Sequence, residues 1–262
     1  MDLPKIKKSD FPNWKSYYLN YQKLLAQSFY IPLLASKEIN IKAESKILDV
    51  GCGDGGFLSA FSELSKECHG NEIRDFSWEK INGVKFVIGD ICSEEIKERL
   101  MPKYDLVILR DVIEHILKDK KINFLSSVKN YMDDNSRLLV TFPPYFSAFG
   151  LHQQAFLKMP FRVFPFLGWL PKIVIYFILK VTNQSSVWED LEEIKNSKMT
   201  IRNFRKLIDQ CGFEICFDER YIIRPSHEIR YGIKMKKANW LRVPLLEEVL
   251  ISGCTFILKI KS

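Results

Sequence analysis

ILDVGCGDGG, residues Ile47 to Gly56, sets four glycines and two aspartates into ten positions directly behind a short apolar run. The stretch that follows, FLSAFSELS, places Phe57, Leu58, Phe61 and Leu64 on one helix face, so the unit reads as strand, tight turn, helix. Gly51, Gly53 and Gly56 satisfy the spacing G-x-G-x-x-G, which on its own is a weak signal. Three ligands compete for such a turn: a triphosphate, a dinucleotide pyrophosphate, or another adenosine compound. A glycine-rich turn with no ligand is the plain alternative, and the strand before it and the helix after it speak against that reading.

No Gly-Lys-Ser/Thr follows the turn to reach phosphates or magnesium, which excludes a P-loop. Asp49 stands two residues before the first glycine and Asp54 lies inside the turn, so a pyrophosphate would meet negative charge where it needs donors. A cationic ligand suits both acids. S-adenosylmethionine presents a sulfonium and an ammonium there and carries no phosphate. Further along, Glu72 ends the second predicted strand, where a carboxylate accepts both ribose hydroxyls. Asp90 ends the third, placed to accept from an adenine amino group, with Ile91 packing on the ring. Each acid alone reads equally well as a solvated strand end. Their succession behind the glycine turn is what makes a site.

The alternation extends outward. KILDV (46–50), CHGNEI (68–73), KFVIGD (85–90), YDLVILRDV (104–112) and RLLVTF (137–142) read as strands, and SEEIKERL and a segment near Asp119 to Met132 as helices between them. Strands alternating with helices predict a parallel sheet covered on both faces, with ligands at the carboxyl ends of the strands. Thr200 is expected to cap a helix that stops at Gly212, Phe213 to open another strand, and CTFILKI to be the last one, paired antiparallel with it. Residues 14–36 carry apolar side chains at helical spacing and read as a helical cap, giving a division into 1–44 and a main domain of 45–262. From Pro143 to about residue 199 an aromatic- and proline-rich stretch breaks the pattern and reads as a lid-like insertion.

Taken together, these segments resemble the class I S-adenosylmethionine-dependent methyltransferases. ILDVGCGDGGF looks like their first motif, HGNEI like the second-strand acid motif and VIGDI like the third. YDLVILRDVIEHI is similar to the fourth strand with the D-V-x-E-H signature of the small-molecule branch, and MTIRNFRKLIDQCGFEI to the penultimate helix and strand. The resemblance is close over about residues 45–142 and looser over 198–262. It implies an α/β fold, a Rossmann-like seven-stranded mostly parallel sheet with helices on both faces and the last strand antiparallel. It also implies a cofactor site drawn from Asp49, Gly51, Cys52, Gly53, Glu72, Ile73, Asp90, Ile91 and Arg110. Asn71 departs from the pattern, which usually has an apolar residue there.

For the acceptor, the candidates are His152 after the fifth strand, His115 just past the fourth, and Tyr145. An imidazole titrates near neutrality and can take a hydroxyl proton as a methyl group transfers. FPPY (142–145) imitates the motif of base-modifying methyltransferases, but Phe142 cannot accept a hydrogen bond and the segment follows the wrong strand. It reads instead as a rigid exit from the sheet. The sequence therefore predicts methyl transfer to a small-molecule or lipid-like acceptor, with oxygen as the first choice. The rivals are an RNA methyltransferase and a non-catalytic cofactor-binding partner subunit.

The RNA alternative draws on the charge of +7, concentrated between Arg220 and Arg242, where seven Lys or Arg meet one acid and Tyr221, Tyr231 and Trp240 are interleaved. A solvated surface is the plain reading of that patch. The six cysteines form no CxxC pair and no His-Cys cluster has ligand spacing, so no metal is implied and a reduced, cytoplasmic setting is expected. The N-terminal MDLPKIKKSDFPNW lacks the apolar core of an export signal. IVIYFIL (173–179) is too short to span a bilayer, and the aromatic lid around it points to an apolar pocket or peripheral membrane contact.

Overall fold

The computed structural model describes residues 2–78 and 81–261. A helical run opens the chain: α1 (Trp14–Leu25), a π-helical turn over Ala26–Tyr30, and α2 (Ile31–Ala35). Asn13 starts it by accepting a hydrogen bond from Ser16 N. Then follow β1 (Lys46–Val50), α3 (Gly56–Phe61), β2 (Glu67–Glu72), β3 (Val84–Ile88), α4 (Glu94–Arg99), β4 (Leu106–Arg110), α5 (Lys121–Lys129) and β5 (Arg137–Phe142). The insertion contributes α6 (Gln153–Phe156), α7 (Lys172–Val181) and α8 (Trp188–Ser197). The chain closes with α9 (Ile201–Gln210), β6 (Phe213–Ile223), α10 (Pro225–Tyr231), β7 (Lys236–Lys237), α11 (Leu246–Leu250) and β8 (Gly253–Ile260).

The sheet runs β3-β2-β1-β4-β5-β8-β6-β7. The first five strands are parallel, and β8 inserts antiparallel between β5 and β6. The order reverses between β1 and β4, and the crevice at such a switch point is where α/β folds bind ligands. Eight strands are present among the described residues, one more than expected: β7 is a two-residue edge pair on Tyr221 and Ile223, too short to leave a periodic signal. Strand ends shift as well. β3 stops before Gly89, at φ +146°, and β4 before Asp111, at φ +56°, because a positive φ takes the chain out of the extended region. Thr200 does cap α9, accepting from Asn203 N at 3.0 Å, and Gly212 stands just past its end at φ +70°.

The two-residue period of the strands divides the core. Leu48, Val50, Val107 and Leu109 face α5 and α9, while Ile47, Leu106 and Ile108 face α3 and the N-terminal helices. Asp49 and Arg110 share the parity of the second set. They are thus polar residues on the face that α1 covers. A third, smaller core lies within the insertion, where Tyr145, Leu151, Leu167, Ile175, Leu179, Leu191 and Ile194 pack on one another.

Candidate functional site

The glycine turn leaves β1 with Gly51 at φ +73° and Gly53 at φ +55°. A Cβ on Gly51 would lie 2.5 Å from Val112, so the loop after β4 rests directly on the turn. A Cβ on Gly53 would meet nothing within 4 Å, which marks the open side of the cradle. Glu72 is fixed from two directions: Oε2 accepts from Gly53 N at 3.0 Å and Oε1 from Ile73 N at 2.8 Å. Asn71 explains its own oddity. Its carbonyl accepts from Gly51 N at 2.8 Å, and its buried amide donates to the carbonyls of Val87 and Gly89, both at 3.1 Å. A hydrocarbon there would keep the backbone bond to the turn but lose both amide bonds that tie β2 to the end of β3.

A cavity of about 480 Å³ opens beside the turn, lined by Gly51, Glu72, Ile73, Asp90, Ile91 and Val112 among others. Ile73 is 66% exposed and Ile91 is buried, so the cavity has one open and one closed apolar wall. A larger cleft of about 1740 Å³ runs outside the lid past Trp169, Arg202 and Leu245, but no strand-end acid lines it. Asp49 and Arg110 lie on the face beneath α1, and burial pushes the Cys52 thiol up, away from reactivity. Burial likewise pushes the Asp49 carboxyl up to about 7, helped by Glu72 and Asp54 and opposed by Arg110.

Past β4 the structure assembles groups from distant parts of the chain. Arg224 donates through one nitrogen to both oxygens of Asp111, at 2.8 and 2.7 Å, and Thr141 Oγ1 donates to the same carboxylate at 3.0 Å. Burial alone would raise the Asp111 carboxyl, but Arg224, Arg110 and His152 outweigh it and hold the group well below the usual carboxylate range. Next to it, His152 Nε2 lies 3.2 Å from Glu114 Oε1, and the rings of His115 and His152 meet edge to face at 5.2 Å. Tyr145 does not join them. Its hydroxyl donates to Gly168 O at 2.6 Å and accepts from Lys195 at 3.2 Å, so it is an internal tie of the lid, and its expected role at the acceptor is corrected here. Asp111, Glu114 and Arg224 were missing from the sequence-based site. Asp111 and Glu114 carried a signal, as the acids of the D-V-x-E-H stretch (111–115); Arg224 carried none.

The basic stretch is largely neutralised within the fold. Buried Arg220 pairs with Glu247 and Asp218, Arg224 with Asp111, Lys237 with Glu219 and Arg242 with Asp218. Arg230 lies over the rings of Tyr21 and Tyr231, and Tyr221 is buried. The electrostatic footprint on which the RNA alternative relied is thereby dispersed.

The methyltransferase-domain family matches residues 20–216 of the chain. The chain belongs to that family. Over 133 residues it is 24% identical to N-methyltransferase 4 of Papaver somniferum, a stretch that is 47% of this chain and 36% of that relative, so the chain spans about a third of its length. Among solved structures, an S-adenosylmethionine-dependent methyltransferase from Clostridium acetobutylicum superposes with a TM-score of 0.53 at 10% identity, covering 92% of each chain. One from Archaeoglobus fulgidus gives 0.50 at 16%, covering 93% of this chain and 99% of the other. The plantazolicin methyltransferase, solved with a triazolic desmethylplantazolicin analogue and S-adenosylhomocysteine, gives 0.55 at 9%, covering 95% and 90%.

The chain thus carries a methyltransferase domain with the fold of S-adenosylmethionine-dependent methyltransferases, and the cradle suits such a cofactor: an open glycine turn, an oriented Glu72 and acids in place of phosphate donors. Set against the cofactor's cation, as the sequence expects, Asp49 would make affinity depend on pH. A cation favours the ionised carboxylate, so binding draws a proton off Asp49 below about 7. Affinity is expected to rise roughly tenfold from pH 6 to pH 8 and then level off, with Arg110, Glu72 and Asp54 as the charged groups facing Asp49. In Asp49→Asn the slope should vanish. Calorimetry across that range checks both, and a slope that survives in the variant would remove Asp49 from the site.

Proposed function

We propose that this methyltransferase moves the methyl group to an oxygen of a small, apolar or lipid-like acceptor held beneath the lid. The bound cofactor supplies an electrophilic methyl group on a sulfonium. Asp49, Gly51, Gly53, Glu72, Asp90 and Ile91 hold it, with Ile73, Cys52 and Arg110 around them. The observation that carries the choice of oxygen is the buried contact between Glu114 and His152 beside the loop that covers the glycine turn. A hydroxyl is a weak nucleophile until its proton is drawn off, whereas a neutral amine attacks through its free pair and sheds a proton afterwards. A carboxylate and two imidazoles at the acceptor end are suited to a hydroxyl.

The lid sets the class of acceptor. Along α7, Ile173, Phe177 and Val181 are 76, 66 and 65% exposed, one apolar stripe at four-residue spacing with Lys172 and Lys180 at its margins. Such a stripe supports an acceptor that arrives from, or sits against, a lipid surface. No helix among the described residues is long and apolar enough to cross a membrane. The six cysteines stand free, in keeping with a reduced cytoplasmic setting.

The test is transfer of a labelled methyl group across a panel of hydroxyl, amine and carbon acceptors, aliphatic and aromatic. Product is expected from a hydroxyl compound, and His152→Ala should lower its rate about a hundredfold while leaving cofactor affinity within twofold. Methylation of amines alone would overturn the choice of oxygen. Cofactor binding without transfer to any acceptor would favour a partner subunit instead.

A further inference from the structure

Three metal-ligating side chains meet where β4 and β5 end. Glu114 and His115 follow β4, His152 precedes α6, and one ligand atom from each lies within 4.8 Å of the others. Glu114 is 2% exposed and neither of its carboxylate oxygens has a hydrogen-bond partner. His152 Nε2, 3.2 Å from Oε1, is too poorly aligned to bond with it and is itself without a partner. A buried carboxylate left in that state calls for a cation.

The neighbouring lysine and arginine do not supply it. The Lys121 amino group gives its three protons to Ile113 O at 2.9 Å, Ser197 Oγ at 2.7 Å and Ile116 O. Arg224 is turned to Asp111, and Asp111 is likewise occupied by Arg224 and Thr141. Among these groups, only the Glu114 carboxylate and the two imidazoles keep donor atoms free.

We propose that Glu114, His115 and His152 bind a divalent transition-metal cation of the zinc, cobalt or manganese class. Two imidazole nitrogens and one carboxylate oxygen are a donor set for such ions, whereas magnesium and calcium prefer oxygen throughout. Metal–ligand bonds of about 2.1 Å set tetrahedral donors roughly 3.4 Å apart, so modest side-chain rotation closes the present span. Three protein ligands leave positions open. His152 sits at φ +57°, in the left-handed region, immediately before α6.

What the cation does rests on the acceptor reading above; that it binds does not. An acceptor hydroxyl in an open position loses its proton to solvent, and its oxygen pair forms the bond to the methyl carbon. The carbon–sulfur bond breaks with its pair remaining on sulfur. The negative charge that the departing proton leaves on oxygen is held by the cation until the new bond to carbon consumes it. Glu114, His115 and His152 then act as ligands and not as free bases.

The experiment uses the full chain freed of metal with a chelator and titrated with Co²⁺. One Co²⁺ per chain is expected, with visible bands of nitrogen and oxygen donors and no thiolate charge-transfer band. Glu114→Gln and His152→Gln should each weaken it about a hundredfold, with melting temperature and S-adenosylhomocysteine affinity unchanged. Where a variant folds poorly, Mn²⁺ added to wild-type protein decides the matter: of the four histidines, the imidazole signals of His115 and His152 should broaden first. Absence of Co²⁺ binding, a thiolate band, binding unchanged in both variants, or broadening centred on His69 or His227 would each overturn the proposal. Metal binding without methyl transfer would sink the acceptor reading and leave this site standing; transfer in fully metal-free protein would overturn the cation's role in transfer and leave the acceptor reading standing.

Discussion

Arg224→Met is expected to destabilise the domain by about 3 kcal/mol, a large share of the total for a protein of this size. Arg224 stands just before α10, 113 residues from Asp111, and its side chain runs past Gly253, where a Cβ would lie 2.7 Å from Arg224 Cγ. It thereby joins the end of β6 to the end of β4 across the intervening strands. Removing the guanidinium leaves the half-buried Asp111 carboxylate with Thr141 and a 3.7 Å contact to Arg110 as its remaining partners. The cost comes from that stranded charge more than from the lost attraction, so a second change should return part of it. Urea unfolding of Arg224→Met, Asp111→Asn and the double variant measures this directly. The double variant is expected to be more stable than the sum of the single losses implies. A single-variant loss below about 0.5 kcal/mol would falsify the view that this pair anchors the acceptor side.

That anchor also shows where a sequence stops being informative. The β-α alternation was legible because strands buried on both faces read as unbroken apolar runs: KILDV, LVILR and RLLVTF announce themselves. The glycine turn and the acids Glu72 and Asp90 were legible for a related reason, since each falls at a fixed offset from such a run. Nothing local marks Arg224 as the partner of Asp111, because the pairing exists only once β8 has inserted between β5 and β6. The same holds for Glu114 and His152: 38 residues separate them, outside any ligand spacing, and only the adjacency of β4 and β5 closes the gap. Tyr145 misled in the opposite direction. Position beside a strand end suggested chemistry, but the insertion has a core of its own and needed that ring and hydroxyl to close it. The seven basic residues between Arg220 and Arg242 misled similarly, since a count of charges along the chain says nothing about the acids Asp218, Glu219 and Glu247 that the fold sets against them.

Glu72→Ala is expected to lower affinity for S-adenosylmethionine tenfold or more, about 1.4 kcal/mol or above for the loss of charge-assisted hydrogen bonds. Two effects add. The carboxylate is lost as an acceptor for the cofactor, and Gly53 N and Ile73 N lose the oxygens that now fix them. Gly53 is the open side of the cradle, so the backbone that should face the ligand is loosened at the same time. Glu72→Gln retains one acceptor oxygen and should fall between the two. Asp90→Ala should cost less, because the fold uses its carboxylate for a single bond, from Cys92 N at 2.9 Å. Calorimetry with S-adenosylhomocysteine alongside S-adenosylmethionine separates the contributions: with Glu72 on the nucleoside, as proposed, both ligands should weaken equally in Glu72→Ala. With Asp49 against the cationic half, as proposed, Asp49→Ala should weaken the sulfonium compound more than the neutral thioether. Equal losses for the two ligands in Asp49→Ala would mean that the acids at the glycine turn shape the backbone without selecting for charge, and the choice of a sulfonium over a pyrophosphate would then rest on Glu72 and the fold alone.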